Sequence, residues 1–366
     1  MFRKAPLFSA AVLLLLVLAV SELSLPPRFI SRMENRSLSQ PPVWTIDSFL
    51  SGSFSKAAEN FSADQMPARD LFVSVYALMD AAQGKTLRGD ILFGKNGYLF
   101  EKNDALSENN VRLNTQAFST LLARTGASGV MMLVPSSACL YPGLLPAFSP
   151  VADEQKLLRL AASGKAVWID VLAALKAVAQ DEPLYYKTDH HWTAGGAYTG
   201  YLALCASLGY TPFVPDPQRV QTFGPFYGSY FVRSPSPFIR GDTLKIDETP
   251  GLTLWIGNEK KDALYDEKAI AGRDKYAALL YGNHAEITLR NSACASGTLL
   301  VIKDSYANAL LPYLAMNNAV VYAVDPRYFQ GDIVKYTKQR KVDQIVCLYG
   351  LSTFAQSRNL ALMEGL

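Results

Sequence analysis

The last seventy residues of the chain restrict its fold more than any other stretch. Thr298 to Lys303 is an uninterrupted apolar run that reads as a buried strand, and Tyr306 to Met316 carries helical spacing. Ala319 to Val324 is a second such strand, Asp332 to Lys338 a second helix, and Gln344 to Leu348 a third strand. Strands joined through helices by short connections cannot pair as hairpins. They line up in parallel, and the crossing helices cover both faces, so each strand is apolar on both sides.

The same signals recur upstream. Val130 to Val134 is an apolar strand stopped by Pro135, Glu154 to Ala162 a helix, Ala166 to Ile169 a strand and Trp192 to Leu208 a helix. Gly94 to Phe100 predicts a hairpin, because Asn96-Gly97 supplies the turn between apolar flanks. Residues 46 to 85 carry helical spacing in Phe61, Met66, Phe72, Val75, Tyr76 and Met79. Residues 209 to 290 break the alternation; rich in Pro, Gly and aromatics, they predict an irregular or β insertion. The expected organisation is a segment 1–25, a stalk and helical lead-in over 26–90, and an α/β domain over 91–366. Hydrophobic residues make up 49% of the 366, enough for a large core.

Charge excludes one class of function. The formal net charge is only +3 and no basic cluster stands out, so nucleic acid is not an expected partner. At the N-terminus Arg3 and Lys4 precede an apolar run from Ala5 to Val20, the pattern of an export signal. No small-residue cleavage site follows before Pro26-Pro27. An uncleaved signal-anchor is therefore favoured over a cleaved signal peptide, and the rest of the chain is expected outside the cytoplasm. Cys139, Cys205, Cys294 and Cys347 show neither CxxC nor zinc-type spacing. Cys139, Cys205 and Cys347 sit in apolar runs and read as core; disulfides stay open in such a compartment.

Chemistry concentrates in two short blocks. Tyr185-Tyr186-Lys187-Thr188-Asp189-His190-His191-Trp192-Thr193 holds two of the three histidines, just before a helix. Asp189 and His191, two residues apart, can meet in a turn, where the carboxylate would fix the imidazole tautomer. Ile302-Lys303-Asp304-Ser305-Tyr306-Ala307-Asn308 places Ser305 where a buried strand gives way to a helix. In a parallel sheet that edge is where sites form, and backbone N–H groups there can stabilise an oxyanion. Together they make Ser305, His191 and Asp189 a candidate nucleophile, base and orienting acid for acyl transfer.

Plainer readings exist for each. A serine at such a junction is most often an N-cap. Asp189 and His191 with Glu182 and His284 form an alternative zinc set. Trp192 either walls a site or fills core, and Tyr227, Tyr230 and Phe231 either stack sugars or pack inside. Arg327 either binds an anionic group or makes a surface ion pair.

Asp189-His190-His191-Trp192, followed by a Gly-rich helix start, resembles the signature of the DHHW protein family. That family is similar to the SGNH hydrolase-like proteins of alginate acetylation, with an Asp-x-His-Trp motif and a later serine. The blocks Glu34-Asn35-Arg36, Asp64 to Asp70, Gly97 to Phe100, Tyr281 to His284 and Lys303 to Asn308 extend the likeness across about residues 30 to 355. The resemblance implies an SGNH hydrolase-like three-layer α/β/α fold. It also implies an O-acyltransferase or esterase that acts on extracellular polysaccharide or cell-wall glycan, with a membrane-bound O-acyltransferase as partner. Asp189, His191 and Ser305 fall on its acid, base and nucleophile. Gly282 and Asn283 are its candidate oxyanion donors, and His190 and Arg327 substrate contacts. Neither cofactor nor metal is implied. The alternative is a non-catalytic glycan-binding or assembly scaffold with the same fold.

Overall fold

The computed structural model describes residues 5–31, 36–272 and 274–366. Arg3 and Lys4, and Glu34 and Asn35 of the family blocks, lie outside them. The chain divides into two compact units. One holds the described residues up to Lys85 together with Val232–Ile239, and the other holds Thr86–Phe231 with Arg240–Leu366.

In the first unit the apolar run is helical over Pro6–Ser24, with Leu13, Leu14, Leu15 and Leu16 exposed. Among the described residues no helix is long and apolar enough to cross a membrane. The helical lead-in is present as Ile46–Leu50, Ser53–Gln65 and Arg69–Ala82. The expected stalk is not free chain. Ile30–Ser31 pairs with Arg36–Ser37, and the Asp64-Gln65 block clasps both flanks of that pair. Asp64 Oδ2 accepts from Ser39 N at 2.8 Å, and Gln65 exchanges two bonds with the Arg28 backbone, each 2.8 Å. Side-chain amides and carboxylates thus satisfy backbone groups that a proline-rich sequence leaves unpaired.

The second unit is built on an eight-stranded sheet. From edge to edge the strands are Glu259–Lys261, Leu252–Ile256, Glu286–Asn291, Val320–Val324, Thr298–Lys303, Gln344–Gly350, Ser128–Val134 and Val167–Trp168. The last five are parallel, as the apolar runs required. The first three are antiparallel, Glu286–Asn291 pairing with Val320–Val324. The region expected as an insertion over 209–290 is therefore only partly one. Its strands Leu252–Ile256 and Glu259–Lys261 extend the sheet, because alternating residues such as Leu254 find a buried face beside Leu289. Val220–Phe226 and Asp242–Asp247 form a separate hairpin outside that sheet.

The core strands are buried throughout: Leu299, Leu300, Val301 and Ile302 have no exposed surface, and neither do Ile345, Val346 and Cys347. Helices Glu108–Thr125, Glu154–Ala162, Ile333–Gln339 and Leu351–Gln356 pack together on one side. Val171–Val178, Ala194–Leu208 and Leu311–Met316 pack together on the other, completing three layers. The hairpin at Asn96-Gly97 forms as expected, with Phe93 opposite Leu99. All four cysteines are free; Cys205 and Cys347 are wholly buried. Chain leaves Ser128–Val134 toward one edge and Thr298–Lys303 toward the other, the reversal of direction at whose carboxyl ends sites form in such sheets.

Candidate active site

Ser305 is the second residue past the strand Thr298–Lys303. Asp304 caps the turn Ser305–Ala309, its Oδ1 accepting from Tyr306 N at 3.0 Å. Its Oδ2 accepts from Gly350 N at 3.0 Å, at the end of the neighbouring strand. The cap is thus Asp304, and the Ser305 hydroxyl is left for another partner, against the plain N-cap reading. Burial raises the Asp304 carboxyl, while the Tyr306 and Gly350 N–H groups and the nearby Arg327 pull it back.

The partner arrives from 114 residues earlier: His191 Nε2 lies 2.8 Å from Ser305 Oγ. On its other side His191 Nδ1 lies 2.6 Å from Asp189 Oδ1, which also accepts the His191 N–H at 3.0 Å. A carboxylate on Nδ1 requires the proton there and leaves the Nε2 lone pair facing the serine. Asp189 and His191 are 2% and 5% exposed, so this chain of hydrogen bonds is shielded from water up to the half-buried serine. Burial alone would raise the Asp189 carboxyl. The adjacent His190 and His191, with hydrogen bonds from His191 and the Ser229 N–H, outweigh it and hold Asp189 well below the usual carboxylate range.

Residues from the 209–290 region fix this segment, and sequence reasoning missed them. Asp242 Oδ1 accepts from Lys187 N at 2.9 Å, and Oδ2 from Thr188 N and Oγ1 at 2.8 and 2.6 Å. Ser229 N donates to Asp189 Oδ2 at 2.7 Å. Gly228 permits that approach, since a Cβ there would stand 2.2 Å from the Asp189 Cβ. Tyr276 stacks on the imidazole of His191, centroids 3.6 Å apart and planes 10° from parallel, and its hydroxyl donates to Ser305 O at 3.0 Å. All lie in the Pro-, Gly- and aromatic-rich stretch 209–290, whose composition carries no signal for these contacts.

The remaining candidates are placed as follows. His190 lies beside the chain without joining it: its Nδ1 is 2.8 Å from Ser229 Oγ, and its carbonyl accepts from Tyr306 OH at 2.5 Å. Burial and the neighbouring His191 push its imidazole down to about 4, so it is neutral at pH 7. Trp192 fills core, fully buried, with Nε1 donating to Tyr306 O at 2.9 Å. Tyr230 and Phe231 are buried too. Gly282 donates its N–H to Leu279 O, so it does not supply the oxyanion donor expected of it. Its carbonyl and Asn283 Oδ1 instead accept from Asn308 Nδ2, at 3.2 and 3.3 Å. Arg327 forks onto the buried Asp325 through bonds of 2.9 and 2.6 Å, an ion pair reaching into the interior rather than a surface one. His284 faces Tyr281 O at 2.9 Å. Among the described residues the side chains placed closely enough to share a metal are Asp189, His190 and His191, without Glu182 or His284, so the zinc set does not assemble.

Residues 163–324 match the family model described as DHHW protein, and residues 91–222 the model described as the SGNH hydrolase-like domain of acetyltransferase AlgX. The probable alginate O-acetylase AlgJ of Pseudomonas syringae pv. tomato is 27% identical over 203 residues, 49% of this chain and 52% of that protein. The AlgJ of Pseudomonas aeruginosa is 26% identical over 180 residues, 46% of either chain. The chain thus spans about half the length of the curated relatives it matches. Among solved structures, a DHHW family protein from Eubacterium siraeum superposes with a TM-score of 0.64 at 16% identity, covering 75% of this chain and 95% of the other. Bacillus cereus PatB1, with a sulfonyl adduct, superposes at 0.59 and 17% identity, covering 75% and 97%. The resemblance to DHHW proteins and to the SGNH hydrolase-like alginate-acetylation proteins is shown by these matches, and the fold is the one it implied.

Proposed function

We propose that this chain is an extracytoplasmic, serine-dependent O-acyltransferase or esterase acting on polysaccharide or cell-wall glycan. One observation carries the reading: the unbroken hydrogen-bond chain Asp189–His191–Ser305, assembled from segments 114 residues apart at the carboxyl edge of the parallel strands. The similarity to the alginate O-acetylases supports the acyl chemistry and the glycan acceptor.

In this mechanism His191 Nε2 takes the Ser305 proton as Oγ bonds to the carbonyl carbon of an acyl donor. The donor's C–O electrons move onto its carbonyl oxygen, giving a tetrahedral oxyanion. The Ser305 N–H and the Asn283 side-chain amide, whose oxygen is held by Asn308, stabilise that charge. Collapse expels the leaving alcohol, which takes the proton back from His191, and leaves acyl-Ser305. A sugar hydroxyl, or water in the esterase case, then gives its proton to His191 and attacks the acyl carbon, returning Ser305. Asp189 holds the tautomer and stabilises the imidazolium in both halves; Tyr276, flat against the ring, supports the same cation.

Residues 1–25 would tether the domain at the membrane's outer face, where a membrane-bound O-acyltransferase would supply acyl groups. The test is turnover of p-nitrophenyl acetate by the full chain beside Ser305→Ala, with labelling by a serine-directed phosphonate located by mass spectrometry. Label on Ser305 and loss of turnover in the variant are expected. Equal turnover in both proteins would remove Ser305 from the mechanism.

A further inference from the structure

We propose that Lys303 is a positioning residue for acyl transfer: acting through Asn308, it fixes which way the Asn283 amide faces. The inference rests on the serine reading above and names what orients its oxyanion donor. Lys303 closes the apolar strand Thr298–Lys303 and has no exposed surface. A buried ammonium is costly unless it is paired. The nearby buried carboxylate of Asp325 is already forked by Arg327. Among the described residues the hydrogen bond that Lys303 makes goes to an amide instead, Nζ donating to Asn308 Oδ1 at 2.6 Å. Burial lowers the Lys303 ammonium to about 8 while Asp325 and Asp304 resist, so it keeps its proton at pH 7.

The groups in series have one good arrangement. A protonated lysine can only donate and a backbone carbonyl can only accept, whereas an asparagine amide can be turned either way. Asn308 sits between the two. Its Oδ1 faces Lys303, and its Nδ2 donates to Gly282 O at 3.2 Å and to Asn283 Oδ1 at 3.3 Å. Both amide protons are thereby engaged, so Asn308, 2% exposed, is not itself a donor to substrate. The Asn283 oxygen is engaged too, and its NH2 is left over. Asn283 is exposed, and among the described residues its Nδ2 makes no hydrogen bond.

Position ties this series to the serine. Ser305–Ala309 is a 3-10 turn, in which residues three apart lie on one side, so Asn308 stands on the Ser305 side of it. Tyr276, which stacks on His191 and donates to Ser305 O, leads through the turn at Leu279 into Gly282-Asn283. With the lysine gone, only the Gly282 carbonyl opposes a flip of Asn308. Such a flip turns Asn283 as well, and presents oxygen where an oxyanion needs N–H.

The test is kcat and KM for p-nitrophenyl acetate with the full chain as wild type, Lys303→Met, Asn283→Ala and the double variant. Asn283→Ala should lower kcat about 100-fold, as loss of one oxyanion donor does. Lys303→Met should lower kcat by about tenfold or more with KM within about twofold, and Lys303→Arg, still a donor-only head, should recover part of it. In the Asn283→Ala background, Lys303→Met should cost less than about twofold more, because the amide it positions is gone. Wild-type kcat in Lys303→Met would overturn the assignment. So would an equal loss with and without Asn283, which marks a purely structural lysine. If circular dichroism shows Lys303→Met unfolded, Asn308→Asp decides: it still accepts from Lys303 but cannot donate to Asn283. It should show the same Asn283-dependent loss, and wild-type turnover there would overturn the assignment equally. Phosphonate labelling reports the serine reading by itself: a labelled Ser305 with wild-type turnover in Lys303→Met removes only the role of the lysine.

Discussion

The two arms that meet at the site are held by different means. The serine arm, Asp304 to Asn308, is anchored within the sheet: Asp304 ties to its own turn and to Gly350 on the adjacent strand. The imidazole arm, Lys187 to Trp192, lies outside the eight-stranded sheet, touched by Leu99 N at Lys187 O and by Tyr306 OH at His190 O. Asp242 grips its backbone, Ser229 its carboxylate and Tyr276 its ring, all from the region between the helix Ala194–Leu208 and the strand Glu286–Asn291. A nucleophile at a strand end inherits the precision of the sheet. A base on a loop needs side chains from elsewhere to hold it, and here the least regular part of the unit supplies them.

If that contrast is right, substitutions supporting the imidazole arm should misplace the base while leaving the sheet intact. The largest effects lie in the reacting chain itself: Ser305→Ala and Asp189→Asn should each lower turnover by about 10⁴-fold with the fold preserved by circular dichroism. Near-wild-type turnover in Asp189→Asn would break the role given to that arm. Next comes Gly228→Ala, whose Cβ would collide with Asp189. It should cost about 1–3 kcal/mol in denaturant unfolding and lower kcat more than it raises KM. Tyr276→Phe keeps the stacked ring and loses only the bond to Ser305 O, so about a fivefold loss of kcat is expected. An unchanged rate would mean that ring stacking alone does the positioning.

His190 gives a smaller, pH-dependent signal. Its folded-state value of about 4 lies below that of the unfolded chain, so the unfolded state binds the proton more readily between roughly pH 6.5 and 4. Stability should therefore fall as pH drops through that window, and His190→Gln should show a flatter melting-temperature profile there. The smallest expected effect is none: chelation with EDTA should leave turnover unchanged. Loss of activity restored by zinc would instead assign Asp189, His190 and His191 to a metal.

Much of the fold was legible because periodicity reports burial directly. Thr298–Lys303 and Glu154–Ala162 fall where the pattern put them, since a run apolar on both faces or on one helical stripe has few ways to hide from water. Residues 252–261 and 286–290 read as insertion because the strands of this antiparallel end of the sheet are short, lie amid Pro- and Gly-rich chain and carry charges such as Glu259 and Arg290. Gly282 illustrates another limit: its type suggested a free N–H, but a turn to Leu279 consumed it.

By itself the sequence determined the parallel core and named the three groups that meet at the edge, because apolar periodicity and side-chain chemistry are local properties. Only the tertiary structure decided that Asp242, Ser229 and Tyr276 hold the imidazole. Those contacts join residues 40 to 55 or more apart along the chain, and their registry follows from packing that no local pattern encodes.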